Sequence, residues 1–286
     1  MPASLSVCKH QGLSLCRYFP AERGLNVLSD AELMVVPPKY LNDPFECAPV
    51  IKCTDPDAYT KSQFDEIVTS PAFFEENRHH FPGVETFEKF RSAIMRHGPA
   101  LLNKMVMEVP EADRHIQERA QDIISLKYGV ICFAANPLHP TMWAHYADSH
   151  HGLVIEFSAD SEILSGRSFL RIEYCDEPFV FDASNPAEAD DVTLFLRRKG
   201  TDWSYEQESR LVVDLSLTVE HLLPEGPRRF IPINPRIISS VTLGLRATPQ
   251  VKGQILELLE RPKLQHICAF AARKNVEKGK LERLPL

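Results

Sequence analysis

Hydrophobic residues near the N-terminus fall into short runs that are closed by turn-forming residues. Residues 15–19 form an apolar, partly aromatic run that ends at Pro20, and residues 33–36 form a second run that two prolines close. Between these runs, residues 25–32 have the composition of a short helix. Short apolar runs bounded by Pro or Gly are typical of β-strands. The pattern therefore predicts a strand, a helix and a second strand in this order.

Residues 57–127 show a different pattern, in which apolar positions recur at helical spacing. Phe87, Phe90 and Ile94 follow this spacing, which places their side chains on one face of a helix. The stretches with helical patterns are residues 58–69, 71–77, 84–96 and 112–126. We interpret the whole region as a helical insertion or a cap on a sheet domain.

After Gly129 the chain returns to short apolar runs that are separated by turn-forming residues. These runs predict strands at residues 130–134, 153–157, 169–174, 210–215, 230–233 and 240–243, then a helix at 251–259 and a last strand at 266–271. Closely spaced strands with few helices between them indicate a mixed or antiparallel sheet and argue against repeated βαβ units. The sequence therefore predicts an α+β fold with a mixed, mainly antiparallel sheet core, as one domain over residues 1–286.

The charge balance of the chain limits the partners that it can attract. Its 286 residues carry a formal net charge of -7, and its pI is about 5.9. An acidic chain has no overall attraction to phosphate polymers, which argues against nucleic acid as a bulk partner. Seven cysteines without a CxxC pair indicate reduced thiols. Because no signal-peptide pattern and no long apolar run is present, we expect a cytoplasmic protein without a membrane partner.

Four clusters combine aromatic and polar residues without a simple core period. They contain Arg17 and Tyr18; Asn42, Asp43 and Glu46; Trp143, His145, Tyr146, Asp148, His150 and His151; and Trp203, Tyr205, Glu206, Glu208 and Arg210. Structural interpretations exist as well, since the Asn-Asp-Pro sequence favours a turn, and Trp143 and Tyr146 can pack on one helix face. The histidines lack the spacing of an HExxH-type site, so the sequence predicts no metal site.

The fourth cluster is the most informative about chemistry. If a strand begins near Tyr205, Glu206 and Glu208 project from the same face, because side chains alternate along a strand. Two neighbouring carboxylates repel each other, so they need a cation, a ligand or a raised pKa, and Arg210 on the same face is a candidate cation. A solvated strand face with an Arg–Glu pair is the alternative. Trp203 beside these acids favours a small-molecule site.

The clusters, in this order, resemble the domain-of-unknown-function family 2971 (DUF2971). The resemblance rests on CRYFP near the N-terminus, on the loop LNDPFE, on the middle segment GVICFAANPLHPTMWAHYADSHHGLVIEF, and on KGTDWSYEQESRLV. It extends from about Arg17 to about Leu243. No function is assigned to this family, so the resemblance implies no activity.

The opening strand, helix and strand also resemble the first half of ADP-ribosyltransferase folds. This second resemblance implies that Arg17 orients the ribose or phosphate of NAD, that Glu208 is the catalytic acid, and that Glu206 orients or deprotonates the acceptor. Aromatic side chains then stack on nicotinamide, with Tyr18, Trp143 and Tyr146 as candidates. The remaining candidates for contact with the nucleotide are Asn42 and His145. NAD is accordingly the co-substrate that the resemblance implies.

Three functions therefore remain open. The first is an NAD-consuming ADP-ribosyltransferase or glycohydrolase that acts as a toxin or phage-defence effector. The second is a non-catalytic module that binds a nucleotide or a partner. The third is a metal-free hydrolase or nuclease that uses Glu206, Glu208, Asp43 and His145. Such chemistry usually requires a divalent cation, and the sequence has no second acidic cluster with the spacing to hold one. The sequence does not identify a macromolecular acceptor.

Overall fold

The computed structural model describes residues 15–52, 54–96, 121–122, 124–158, 169–182, 184 and 193–286. The chain divides into two compact units. The first unit comprises Met1–Glu46, Asp122–Asp176 and Leu196–Leu286, and the second comprises Cys47–Gln121 and Glu177–Phe195. The organisation as one domain and the cap role of residues 57–127 stay predictions.

The strands and helices follow one another in an irregular order. The strands are β1 (Leu15–Phe19), β2 (Glu32–Val35), β3 (Val50–Lys52), β4 (Tyr128–Phe133), β5 (Leu153–Phe157), β6 (Phe169–Arg171), β7 (Glu173–Tyr174), β8 (Val180–Asp182), β9 (Arg198–Lys199), β10 (Ser209–Asp214), β11 (Val219–Leu223), β12 (Gly226–Pro232), β13 (Ile238–Leu243), β14 (Cys268–Asn275) and β15 (Lys280–Pro285). The helices are α1 (Ala21–Asp30), α2 (Pro56–Thr69), α3 (Pro71–Asn77), α4 (residues 87–96), α5 (Pro140–Tyr146), α6 (Thr193–Leu196) and α7 (Pro249–Leu259).

A five-stranded sheet forms the centre of the first unit. Its strand order is β1-β5-β13-β14-β15, and every neighbouring pair is antiparallel except β13–β14. Parallel strands need a crossover connection, and here α7 supplies it. The side chain of Thr248 caps α7 by accepting a hydrogen bond from the backbone N–H of Val251. The predicted α+β class with a mixed, mainly antiparallel sheet is thereby confirmed.

Smaller sheets in the same unit position the candidate site. One has the order β4-β10-β6, and another has the order β11-β12-β2. The short strands β7 and β9 pair in parallel, with Tyr174 opposite Lys199. The predicted strand over residues 169–174 is therefore two strands, because β6 pairs with β10 whereas β7 pairs with β9.

Two hydrophobic clusters fill the first unit. The larger cluster joins α1 and α7 to the inner faces of the sheets, with Leu33, Ile131 and Ile155 among its fully buried members. The smaller cluster contains Cys16, Tyr18, Ala134, Met142, Trp143, Ala147 and Val154. Because β1 contributes alternate residues to both clusters, each of its faces packs against hydrophobic core, and the half-buried Arg17 lies between core residues on one of them.

The second unit has an aromatic core. Phe74 and Phe90 are almost completely buried, and their ring centroids lie 5.2 Å apart. The helices α2, α3 and α4 confirm the helical patterns at residues 58–69, 71–77 and, from residue 87 on, 84–96. The helix predicted for 112–126 lies mostly outside the described residues, although 121–122 and 124–127 are helical. The described part of this unit also contains the parallel pair β3–β8.

Candidate functional site

A cavity of about 1550 Å³ lies in the first unit. Its wall includes residues of β1, α1, α5 and β10 and the segment of residues 34–42. The volume exceeds the few hundred to about 1,000 Å³ that is typical of small-molecule sites, so the cavity accommodates a large ligand. The predicted site residues on its wall are Arg17, Tyr18, Asn42, His145, Tyr146, Glu206 and Glu208.

Five charged residues form a buried cluster on this wall, which we call the charged cluster. It consists of Glu46, Lys199, Glu206, Glu208 and Arg210, and each of these side chains is at most 4% exposed. Three carboxylates face two cations, which leaves one negative charge in excess. Buried charges of this kind are tolerated only where partners compensate them, and the contacts within the cluster provide this compensation.

Lys199 connects all three carboxylates of the charged cluster. Its Nζ lies 2.6 Å from Glu206 Oε2, 3.1 Å from Glu208 Oε2 and 3.6 Å from the nearer carboxylate oxygen of Glu46. The same Nζ lies 4.9 Å from the centroid of the Trp203 ring. Burial acts to lower the pKa of Lys199, but the charges of Glu208 and Glu206 outweigh burial and raise this pKa above its ordinary value. Lys199 is therefore charged at neutral pH.

Arg210 forms a bidentate ion pair with Glu208. Its Nε lies 2.7 Å from Glu208 Oε1, and its Nη2 lies 3.0 Å from Glu208 Oε2. Arg210 also forms an ion pair with Glu46, and its Nη1 donates to the carbonyl oxygen of Leu196 at 3.0 Å. Burial lowers the pKa of Arg210 to about 9, which still leaves the guanidinium charged at neutral pH.

The two glutamates of the Glu-x-Glu sequence do not lie on a strand, so the predicted start of the strand near Tyr205 is wrong. Glu206 ends a 3-10 helix that spans Thr201–Glu206, Gln207 adopts a left-handed conformation with φ of 46°, and β10 begins at Ser209. The left-handed residue breaks the alternation on which the prediction depended. Both carboxylates nevertheless reach Lys199, because the chain turns between them.

The backbone at Glu208 is held by the β7–β9 pair. The backbone N–H of Glu208 donates to the hydroxyl of Tyr174 at 2.7 Å, and Tyr174 lies opposite Lys199 in that pair. Burial is the main reason that the pKa of Tyr174 rises to about 12. The phenol therefore stays neutral and keeps its oxygen available as an acceptor. Glu208 and its cation Lys199 are thus positioned by the same small sheet.

Tyr146 connects Glu206 to the loop that contains Asn42. Its hydroxyl donates to Glu206 Oε1 at 2.5 Å, and Asn42 Nδ2 donates to the same hydroxyl oxygen at 2.8 Å. Burial, followed by the hydrogen bond to Glu206 and the charge of that carboxylate, raises the pKa of Tyr146. Tyr146 therefore remains a neutral donor that partly offsets the excess negative charge of the charged cluster.

The substitution Tyr146→Phe tests this arrangement. It leaves one oxygen of the buried Glu206 without this donor, so we expect the free energy of unfolding to fall by about 1.5–3 kcal/mol, as measured by urea denaturation. The control is Tyr205→Phe, which removes a hydroxyl 3.2 Å from Nδ1 of the exposed His145 and is expected to change stability by less than about 0.5 kcal/mol. Equal effects of both substitutions would contradict the importance of the Tyr146–Glu206 contact.

Arg17 and Cys132 approach Glu208 from the side of β1 and β4. The half-buried Arg17 donates from Nη1 to the carbonyl oxygen of Met34 at 3.3 Å, and its charge interacts with that of Glu208. The side chain of Cys132 hydrogen-bonds to Glu208. Burial, followed by the charge of Glu208, raises the pKa of Cys132 well above its ordinary value, so this thiol is protonated at neutral pH.

Two predicted aromatic contacts, Trp143 and Tyr18, belong to the smaller hydrophobic cluster, and of the two only Tyr18 also lines the cavity. Trp143 is fully buried and donates from Nε1 to the carbonyl oxygen of Pro137 at 3.0 Å. Tyr18 packs edge-on against it with ring centroids 5.4 Å apart and donates to the carbonyl oxygen of Asn136 at 2.6 Å. A ligand in the cavity therefore has no access to the Trp143 ring. His145 is exposed on the cavity wall.

Lys199 is the member of the charged cluster that sequence reasoning missed. It appears in the sequence as the end of the short basic run Arg197–Lys199, which resembles an ordinary solvated segment. Its role depends on the pairing of β7 with β9 and on the turn at Gln207, and neither has a local sequence signal. Glu46 belongs to a cluster that the sequence analysis singled out, with a turn as the structural alternative, and its ion pairs with Lys199 and Arg210 are tertiary contacts.

Comparisons with known proteins identify a family for one segment of this site. Residues 142–211 match the family described as protein of unknown function (DUF2971). The matched segment includes most of α5 and four members of the charged cluster, and it confirms the predicted resemblance to this family for those residues. No curated protein and no solved structure matches the chain.

The described residues contain neither a metal-binding group nor a membrane-crossing helix. Within the part of the chain that the structure describes, no group of three or more His, Cys, Asp or Glu side chains is arranged to hold a metal ion. None of the described helices has both the length and the apolar character that a membrane crossing requires.

Proposed function

We propose that the cavity binds NAD and that the protein cleaves the bond between nicotinamide and ribose, as an ADP-ribosyltransferase or NAD glycohydrolase. The observation that carries this proposal is that Arg17 and Glu208 line one cavity and interact through their charges. Glu206, Tyr146 and Asn42 line the same cavity, so acceptors and donors for ribose hydroxyls are close together. The cavity volume of about 1550 Å³ is sufficient for a dinucleotide.

In this mechanism the C1′–N bond of NAD breaks and its electron pair leaves with neutral nicotinamide. The Glu208 carboxylate stabilises the positive charge that develops on the ribose, and it also accepts a hydrogen bond from a ribose hydroxyl. Water or an acceptor nucleophile then forms a bond to C1′ and loses a proton to Glu206. Arg17 orients the ribose or the phosphate through its planar set of donors.

In this proposal Lys199 and Arg210 hold the carboxylates of Glu206 and Glu208 in place. Burial raises the pKa of Glu208, and the charge of Lys199 opposes this effect. Because each oxygen of Glu208 already accepts from Arg210, the carboxylate cannot rotate freely. A carboxylate that is held in place before the reaction stabilises developing charge without first having to reorganise.

A non-catalytic nucleotide-binding module is the second candidate. The observation that favours it is that Glu206 and Glu208 are both at most 4% exposed and already paired with cations. On this alternative the charged cluster only shapes the cavity, and a nucleotide binds without being cleaved.

For the enzyme we propose a cytoplasmic toxin or phage-defence effector, since loss of NAD damages a cell.

Release of nicotinamide from NAD tests the proposal. We expect release by the wild-type protein and a decrease of about a hundredfold or more in Glu208→Gln, because the amide removes the charge that stabilises the oxocarbenium-like ribose. The control Glu277→Gln makes the same change at an exposed turn and is expected to retain full activity. Since Glu208 is buried, both variants are compared at a temperature at which circular dichroism shows that they are folded.

The outcomes separate the two candidates. Thermal stabilisation by NAD without release of nicotinamide would support the binding module and overturn the enzyme. The absence of both stabilisation and release would overturn both candidates for this nucleotide. Equal release by the wild type and Glu208→Gln would show that the reaction does not depend on the charged cluster.

A further inference from the structure

A second cavity, of about 380 Å³, adjoins the turn that carries Glu208. Its volume lies at the lower end of the range that small-molecule sites occupy. Glu208 lines both this second cavity and the larger one. The polar residues on the wall of the second cavity are Arg171, Tyr174, Ser204, Gln207, Glu208 and Ser209. The second cavity therefore suits a small polar molecule.

Arg171 and Ser209 contribute to the second cavity from two neighbouring strands. They lie directly opposite each other in the antiparallel pair β6–β10, so their side chains project from the same face of this sheet. Arg210, the residue after Ser209, projects from the other face into the charged cluster. The side chains of Arg171 and Ser209 are thus on the face of β10 that the charged cluster does not occupy.

Three polar groups on the wall of the second cavity have donors that no described residue engages. Ser209 is only 3% exposed, yet its hydroxyl makes no hydrogen bond within the described part of the chain. The Tyr174 hydroxyl oxygen accepts from the backbone N–H of Glu208, whereas its own proton has no acceptor among the described residues. Arg171 is exposed and forms no ion pair with any described carboxylate. A guanidinium and two hydroxyl groups are therefore available to a ligand.

We propose that the second cavity binds a small organic anion, whose carboxylate or phosphate group accepts hydrogen bonds from Arg171, Tyr174 and Ser209. An ionised oxyanion offers acceptors only, and a guanidinium is its usual cationic partner in proteins. A buried hydroxyl without a partner is unfavourable, and a ligand that accepts from Ser209 removes this cost. The carboxylate of Glu208 does not compete for Arg171, because the cations of the charged cluster already hold it. This site does not depend on cleavage of NAD.

An anion in the second cavity also restrains the turn between Glu206 and Glu208. Gln207, the left-handed residue of this turn, lines the second cavity, and so does Ser204 of the preceding 3-10 helix. Tyr174, which holds the backbone of Glu208, lines it as well. The bound anion adds contacts on both sides of the turn, so we expect slower amide hydrogen exchange over residues 204–209 when the second cavity is occupied.

Isothermal titration of the full chain with succinate, inorganic phosphate and the neutral succinamide tests this site. We expect succinate or phosphate to bind about tenfold or more tightly than succinamide, because hydrogen bonds between charged groups are the stronger ones. The anion that binds more tightly identifies the recognised group as a carboxylate or as a phosphate. Hydrogen exchange with and without this anion, followed by mass spectrometry, tests the restraint of the turn.

Two variants locate the bound anion. Arg171→Gln removes the cation and is expected to weaken binding about tenfold. Ser209→Ala is expected to weaken binding about fivefold and to leave stability unchanged, because its hydroxyl has no partner to lose among the described residues. The control Arg261→Gln removes an exposed arginine that lines neither cavity and is expected to leave binding unchanged.

No binding of either anion, or equal affinity for all three compounds, would overturn the site. So would an equal effect of Arg171→Gln and Arg261→Gln, because the anion is then held elsewhere. Binding through Arg171 without slower exchange over residues 204–209 would overturn the restraint of the turn. Binding of the anion by a protein that releases no nicotinamide supports the site and overturns the enzyme, so the two proposals fail separately.

Discussion

Replacing Lys199 with methionine is expected to lower the free energy of unfolding by about 3–5 kcal/mol, which is the loss typical of breaking a buried ion pair. Methionine fills a similar volume but leaves Glu46, Glu206 and Glu208 buried with only Arg210 as a cationic partner in the charged cluster. An uncompensated buried carboxylate is far more costly than a lost surface contact. Urea denaturation of the wild type and the variant measures the difference.

Two further variants make the Lys199 experiment specific. Lys252→Met removes an exposed lysine of α7 and is expected to change stability by less than about 0.5 kcal/mol. Adding Glu206→Gln to Lys199→Met removes one of the carboxylates that lost Lys199 as its partner. We expect this second substitution to recover part of the lost stability, which a double-mutant cycle quantifies. A loss below about 1 kcal/mol in Lys199→Met would contradict the central position that the structure assigns to this lysine.

The stability lost in Lys199→Met should depend on pH. Burial already raises the pKa of Glu208 in the wild type against the opposing charge of Lys199, so removing this charge raises it further. A carboxylate whose pKa is higher in the folded than in the unfolded state binds more protons when folded, so lower pH favours the folded state. The difference in the free energy of unfolding between Lys199→Met and the wild type is therefore expected to shrink as the pH falls through the raised pKa of Glu208 toward the ordinary pKa of a glutamate.

Gly152→Ala is expected to destabilise the protein by about 3 kcal/mol, because a methyl group at this position overlaps with the main chain. A Cβ on Gly152 would collide with the carbonyl oxygen of Phe19 and would lie 3.0 Å from the carbonyl oxygen of Ala147. Backbone atoms cannot swing away as a flexible side chain can. Strand β5, which begins one residue later, would have to shift relative to β1.

The same substitution at Gly253 provides the control for Gly152→Ala. Gly253 lies inside α7, and a Cβ there meets no atom within 4 Å. Alanine has a higher helix propensity than glycine, so Gly253→Ala is expected to stabilise the protein by about 0.5–1 kcal/mol. Thermal unfolding of both variants gives the comparison. Destabilisation of similar size at both positions would show that the close approach at Gly152 is not the cause.

Local sequence patterns predicted the strands and helices whose ends are marked by turn-forming or capping residues. Strand β1 over residues 15–19 and helix α3 over residues 71–77 begin and end where the sequence predicts, since proline and polar residues bound each of them. Strand β15 went unpredicted, because its residues Lys280–Pro285 include three charged residues and a proline but no β-branched side chain. Such a strand forms because β14 is beside it, and this neighbour is a tertiary feature.

The candidate site was predicted in part, and the missing part is tertiary. Glu206 and Glu208 stand out because two acids follow aromatic residues within a short distance. The cation that contacts both of them is Lys199. Arg210, which the sequence analysis proposed from the alternation of side chains along a strand, is the second cation and contacts Glu208. Trp143 illustrates the opposite error, because an aromatic residue beside polar ones looks like part of a binding site until its burial is known.

The position of β5 in the central sheet has a consequence for synthesis of the chain. Strand β5 lies between β1, near the N-terminus, and β13, which begins at Ile238. A nascent chain that has left the ribosome only as far as β5 can form the β1–β5 pair, but the other edge of β5 stays open until β13 emerges. That edge carries the buried sequence Leu153–Phe157, and an exposed apolar edge invites pairing with other chains. Translation that stalls before β13 would therefore yield aggregation-prone fragments.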